Sequence, residues 1–516
     1  MLESLTDTPV LQHRLGHRHF CLDQNQAPYS DALNALASRD STNLMVPGHG
    51  GTDAGISGLL TDFIGEKAIR LDLPMLLAGV DLEEDSPFQD SLALAADAWG
   101  ARRTWFLTNG ASQANRTVAL AAAGLGENVV SQRSAHSSFS DGVVLAGLHP
   151  QYVLPSVDAV NGIAHGVSVS ALDAALTQAE DEGRAASAVY IVSPSYFGSV
   201  ADVRGLSEVA HTHEAPLIVD GAWGPHFGFH PRLPESPARL GADLVISSTH
   251  KLAGSLTQSA MLHLGEGPFA DVLEPLIARA MTMTASTSSS ALLMGSLDVA
   301  RRALATGEEM IGRSLDTALR FRELLAADDR FADVGEGFGA FADIVDTDLL
   351  RVPIDLSATG ISAHWVRDRL ITEHDLYFEL STETTLVAVI GAGKTPDVDA
   401  VFDTLVAVVE SPEGRTEAVS GRAQTGFPEL PAPGRRRVSP REGYFAATEI
   451  VPAAEAVGRI SADSLAAYPP GVPNIMPGEE ITAEAVEFLT AIAASPSGFV
   501  RGSVTSNVDS FRVLKS

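Results

Sequence analysis

Between about residues 100 and 265 the chain alternates short apolar runs with longer stretches in which apolar residues recur every three to four positions. TWFLT (104–108), AVYIVS (188–193), PLIVD (216–220) and DLVISS (243–248) are nearly unbroken apolar runs of strand length. That pattern predicts strands covered on both faces. ASQANRTVALAAAGL (111–125) and VRGLSEVAHTHE (203–214) carry the helical period instead. The alternation predicts a doubly wound α/β domain around a mainly parallel sheet.

From about 300 the pattern changes. A long helical stretch covers 296–327, and short strands follow at LLRVPIDL (349–356) and TLVAVIG (385–391), predicting a smaller α+β domain. The expected organisation is an N-terminal, loop-rich segment (1–60), a large domain (61–300), the small domain (301–410), a linker rich in Pro, Gly and Arg (411–442), and a C-terminal domain (443–516). No internal repeat interrupts it.

Composition narrows the functional classes. A chain of 516 residues exceeds one ordinary core, and 45% hydrophobic with 19% charged residues is globular composition. A formal net charge of −30 argues against nucleic acid and anionic membranes as partners. It mildly favours cationic small molecules. The single cysteine, Cys21, permits neither an intrachain disulfide nor a cysteine metal site. The first twenty residues show no apolar signal-peptide core, and no window is apolar over the roughly 18 residues a membrane span needs. A soluble cytoplasmic protein is expected.

The candidate chemistry lies at strand ends, where open α/β sheets bind ligands. TNGASQAN (108–115) follows one strand and opens a helix. Gly110 permits the tight turn, and Ala111 and Ser112 fall where free helix N–H groups hold a phosphate. DGAWG (220–224) places Asp220 at the end of a buried strand, where a carboxylate needs a cationic partner. SSTHK (247–251) sets Lys251 just past another strand, with Ser248 and His250 as phosphate donors. SAHSSF (134–139) follows the short strand ENVVSQ and offers His136 to stack on a planar ring. Each feature alone also fits a turn, a cap, a surface lysine or a core histidine. Together, and in this order, they match what pyridoxal 5'-phosphate (PLP) requires: a lysine for the Schiff base, an aspartate for the pyridine nitrogen, a phosphate turn and a flat side chain over the ring.

These strings resemble the fold-type-I PLP-dependent ornithine, lysine and arginine decarboxylases, whose large domain is aspartate-aminotransferase-like. VPGHGG (46–51), TNGASQAN, SAHSSF, SPSYFGSVADV (193–203), DGAWG and SSTHKLAGSLTQSAMLH (247–263) carry the likeness, with STSSSALLMGSLDVAR (286–301), EAVGRISA (455–462) and YPPGVPNIMPGEEIT (468–482) further on. The lysine and YPPG strings are the most specific. The resemblance implies catalytic roles for Lys251, Asp220, His136 and His250. It implies cofactor contacts from Ala111, Ser112, Trp223 and Ser248, joined by Ser286 or Thr287 of a second subunit. It also implies a homodimer or larger even assembly with interface active sites, no metal, and a place in polyamine biosynthesis.

The chain departs from the family pattern at Gly50, in the acidic stretch 71–91, at Ser289 and at Ala291. All four bear on the substrate side of the pocket. The expected activity is decarboxylation of an amino acid, most naturally a basic one, giving an amine and carbon dioxide. Asp81, Glu83, Glu84 and Asp85 are candidates for recognising its cationic side chain. An aminotransferase or oxidative deaminase on the same scaffold is the alternative, and a non-catalytic binding relative is a third reading.

Overall fold

The computed structural model describes residues 22–52, 55–420, 429–468, 471–494 and 498–515. Cys21, part of the 46–55 string, part of the 411–442 segment and the two prolines of the YPPG string lie outside them.

A seven-stranded sheet organises the large domain. Its strands are β1 (Arg103–Leu107), β2 (Asn128–Gln132), β3 (His149–Val153), β4 (Ala188–Val192), β5 (Leu217–Asp220), β6 (Leu244–Ser247) and β7 (Ala260–Leu264), in the order β1-β7-β6-β5-β4-β2-β3. The pairs β2–β3, β2–β4, β4–β5 and β5–β6 are parallel, and only β7 runs against its neighbours. The predicted strands agree with this to within about two residues. β3 and β7 went unpredicted, the latter because its residues lie inside the lysine string. Successive side chains of a strand point to opposite faces. Tyr190, Ile218, Leu244 and Ile246 therefore pack under helices α1 (Gly110–Ala122) and α2 (Ser137–Ala146). Val189, Ile191, Leu217, Val219 and Val245 enter the opposite layer with helices Val169–Asp181 and Val203–Thr212. Both faces are buried, as their unbroken apolar sequence requires.

Three expectations change. The stretch 296–327 is two helices, Ala291–Ala305 and Glu308–Ala326. At Gly307 a Cβ would sit 2.2 Å from the Ala303 carbonyl oxygen, so a glycine marks the break. The segment read as loop-rich carries helix Pro28–Ala37, which buries Tyr29 and Leu33 against helices Pro87–Trp99 and Ala291–Ala305. The expected linker holds helices Pro412–Ser420 and Pro440–Phe445, the latter started by a capping box between Ser439 and Glu442.

The small domain has a four-stranded antiparallel sheet, with Arg351–Asp355 and Thr385–Val389 at its centre. Its core is continuous with the large domain: Leu350, Val352 and Ile354 share a cluster with Trp99, Phe106 and Met261. The C-terminal residues build a separate core around helix Ala483–Ala494. It is tied to the large domain through Arg133, whose fork is held by Glu479 and by the carbonyls of Pro473 and Asn474.

Candidate active site

Parallel register brings the chemistry together. Asp220 ends β5 opposite Val192 of β4 and Ile246 of β6. The chain leaving β6 therefore carries Ser248–Lys251 past the aspartate. Asp220 is 4% exposed, and its oxygens are well supplied. Oδ2 accepts from the Tyr190 hydroxyl at 2.7 Å and from Asn115 Nδ2 at 3.1 Å, while Oδ1 accepts from the Ala222 amide at 3.1 Å. Asn115 Oδ1 lies 2.8 Å from the same hydroxyl and shares its one proton, and the Tyr190 ring stacks on Phe139 at 3.6 Å. Burial first, then Asp220, raises the Tyr190 hydroxyl well above its ordinary pKa, so it remains a donor.

Lys251 turns its Nζ onto the indole of Trp223, 3.7 Å from the ring centroid, with Tyr196 at 6.0 Å. Burial brings the amine down to about 8. Asp220 and Glu379 oppose that shift and Arg351 adds to it. His250 places Nδ1 2.9 Å from the Ser259 carbonyl. A carbonyl only accepts, so Nδ1 donates and Nε2 is left for other chemistry. Ser248 and Thr249 beside it are buried.

His136 caps α2, its Nδ1 accepting from the Ser138 amide at 3.2 Å and lying 2.7 Å from Ser138 Oγ. The rest of the imidazole is solvent-accessible. Partial burial lowers its pKa; Asp220 opposes this, while Lys251 and Arg501 reinforce it. Arg501 reaches in from the C-terminal domain and donates to Ser137 Oγ at 2.8 Å.

No side chain caps α1, although its Asn109 turn is pinned by Gln258. Among its first-turn amides, that of Gly110 meets the Gln258 carbonyl at 2.7 Å. Those of Ala111 and Ser112 remain for a ligand. Ser286 lines a cavity of about 430 Å³ together with Thr108, Asn109 and Gln258 of the same chain. Thr287 is exposed and is not part of that lining.

Sequence reasoning missed Tyr190, Asn115, Arg351, Glu379 and Arg501. Tyr190 and Arg351 were visible as polar interruptions of the apolar runs AVYIVS and LLRVPIDL; the other three gave no such signal. Asp81 and Glu83, in contrast, cap their own loop. Asp81 accepts from the Leu76 and Leu77 amides and Glu83 from that of Gly79, so these carboxylates are engaged locally.

PLP fits these residues. A buried carboxylate still has lone-pair capacity on Oδ1, a nearby amine is poised at about 8, an imidazole face is open, and helix amides stand free for a phosphate. A single antiparallel strand within an otherwise parallel seven-stranded sheet completes the frame of a fold-type-I PLP-dependent enzyme.

Residues 27–351 match the family model "Orn/Lys/Arg decarboxylase, major domain", and 437–499 match the C-terminal domain of the same family. The chain belongs to the Orn/Lys/Arg decarboxylase family, and it is a PLP-dependent decarboxylase of a basic amino acid. It is 32% identical over 499 residues to an arginine decarboxylase of Bacillus subtilis, covering 96% of this chain and 99% of that protein. It is 25% identical to the constitutive lysine decarboxylase of Escherichia coli, covering 90% of this chain and 76% of that protein. The lysine decarboxylase structure from Francisella novicida superposes with a TM-score of 0.78 at 19% identity, over 95% of this chain and 81% of that one, a likeness of fold. Among the described residues no helix is long and apolar enough to cross a membrane, and no cluster of His, Cys, Asp or Glu has metal-binding geometry.

Proposed function

We propose that the chain decarboxylates arginine, with Lys251 as the residue that binds PLP covalently. The observation that carries this reading is the half-buried Lys251 amine, held on Trp223 just past the strand that pairs with the one ending in the buried carboxylate of Asp220. The choice of arginine rests on relatives named arginine decarboxylase, at 30–32% identity over 89–96% of this chain. Bound PLP supplies the sink for the electron pair released when the bond from Cα to the carboxylate breaks.

The protein's own groups do the rest. Asp220 accepts from the protonated pyridine nitrogen, with Tyr190 and Asn115 fixing its orientation. The free amides of Ala111 and Ser112, with Ser248 and His250, hold the phosphate. His136 covers one face of the ring and keeps water from it. Lys251, or His250 through Nε2, would return a proton to Cα. Glu379 is exposed, its charge is felt at the Lys251 amine, and it would supply the carboxylate that a guanidinium needs.

The working form is a cytoplasmic homodimer or larger even assembly. Helix Ile56–Ile64 supports this with an uncovered apolar face: Ile56 is 75%, Leu59 73% and Phe63 83% exposed. Ser286 or Thr287 of one copy completes the phosphate site of the other.

The test is a panel of arginine, lysine and ornithine with carbon dioxide, amine, keto acid and peroxide all measured. Stoichiometric carbon dioxide and amine from arginine are expected. Keto acid or peroxide without carbon dioxide would show an aminotransferase or oxidase instead. A protein inert towards all three would point to the non-catalytic reading.

A further inference from the structure

The Trp223 indole serves two cations. Lys251 Nζ lies 3.7 Å from its centroid and Arg351 Cζ 4.1 Å. The two like charges therefore stand within about 8 Å of each other, on one ring. Arg351 comes from the small domain and is fully buried. Its Nη1 donates to the carbonyls of Ser195 at 2.9 Å and Tyr196 at 2.5 Å, and its Nη2 to the Trp223 carbonyl at 3.0 Å. Nε faces Asp348 at 3.4 Å, and Asp348 in turn holds His226 Nε2 at 2.9 Å. A guanidinium fixed on three carbonyls is not waiting for a substrate carboxylate. Its charge stands at a fixed place on the ring that also carries the lysine.

We propose that Arg351 is a positioning residue that, across Trp223, biases the Lys251 amine toward its uncharged form and so readies it to bind the cofactor. The proposal rests on the reading of Lys251 as the cofactor lysine. Only the neutral amine has the lone pair that attacks the aldehyde of PLP. The nitrogen–carbon bond forms, the aldehyde oxygen leaves as water with the two amine protons, and nothing is oxidised or reduced. The charged groups acting on Lys251 come from three elements. Asp220, at the end of β5, and Glu379, before the strand Leu380–Ser381, favour its charged form; Arg351, from the strand Arg351–Asp355, opposes it. Tyr196 and Trp223 meet it as ring faces.

The experiment mixes apoenzyme with pyridoxal phosphate and follows, by absorbance, the rate of covalent attachment against pH. Arg351→Gln keeps N–H donors but removes the charge, and should move the midpoint of the rate profile upward by on the order of one pH unit. Arg351→Lys restores the charge and should return the midpoint to that of the wild type. Glu379→Gln, at an exposed position, should move it downward. Equal shifts in the Gln and Lys variants of Arg351, or no shift in the Gln variant, would overturn the proposal. If neither Arg351 variant folds, an unmoved midpoint in Glu379→Gln overturns the electrostatic account. Lys251→Ala keeps the two questions apart. If it still reacts like the wild type, the assignment of Lys251 fails; if it is silent while the Arg351 variants leave the midpoint unmoved, only the role of Arg351 fails.

Discussion

The Tyr190 hydroxyl donates to Asp220 Oδ2 over 2.7 Å inside the sheet, joining the middle of β4 to the end of β5. The bond fixes which way the carboxylate faces, and leaves Oδ1, which takes only the Ala222 amide, as the oxygen for the cofactor. Tyr190→Phe keeps the stack on Phe139 and removes the donor. It is expected to cost about 1–2 kcal/mol of stability and to loosen cofactor binding. Thermal unfolding and PLP dissociation measured on the same protein check both. Asp220→Asn should be far worse for turnover, losing roughly a thousandfold, or about 4 kcal/mol of transition-state stabilisation.

Lys251 makes the apoenzyme's stability depend on alkaline pH. Its amine ionises at about 8 in the fold, against an ordinary lysine value near 10.4 in the unfolded chain. Between those values the unfolded state binds more protons, so stability rises as pH rises through the window. Below about 8 both states are protonated and the burial penalty is paid in full. Urea unfolding of apoenzyme from pH 8 to pH 10 should show a gain of order 1–2 kcal/mol, after allowance for solvent at the partly exposed amine. Lys251→Met should show no such gain. A parallel pH dependence in that variant would assign the effect to another group.

What could be read from the chain and what could not divides along one physical line. Asp220 and Lys251 were legible because each ends an apolar run, where an ionisable group has few structural uses. Ala111 and Ser112 were legible because a glycine turn before a helix exposes amides. Glu379 and Arg501 were not, and Arg351 showed only as a polar residue in an apolar run, since each comes from another domain and only the folded chain brings it near Lys251 or His136. β7 was hidden by its own motif: AMLHL reads as the tail of the lysine string until its antiparallel pairing with β1 and β6 is seen. The acidic stretch after residue 80 shows the same limit of composition. Its composition suggested a cation site, but Asp81 and Glu83 are used by amides a few residues away.

The C-terminal domain holds the loop that presents His136. Arg133 stands three residues before it with its side chain 2% exposed, donating two hydrogen bonds to Glu479, whose side chain is 5% exposed. Removing one partner leaves a buried charge unpaired. Arg133→Met or Glu479→Met alone is expected to cost about 3–5 kcal/mol. The double variant Arg133→Met with Glu479→Met should recover most of that loss, because neither charge then needs burying. Denaturant unfolding of the two single variants and the double one measures the coupling. A double variant as unstable as the sum of the singles would mean that the pair is not an isolated unit.

Helix Ile56–Ile64 carries the prediction about assembly. Nothing among the described residues covers Ile56, Leu59 or Phe63, and Leu44 and Val46 just before it are also bare, at 93% and 75% exposure. An apolar surface of this kind is covered by a partner or drives aggregation. Because these positions contribute little to the core of the single chain, Leu59→Glu with Phe63→Glu should leave folding intact. The pair should weaken self-association by several kcal/mol through lost apolar burial and introduced like charges. Sedimentation or light scattering should show a dimer for the parent and a monomer for the double variant. If the active site is shared between copies, turnover per chain falls with dimer content and recovers as protein concentration is raised. A monomeric double variant with full turnover at every concentration would show that one chain suffices for catalysis.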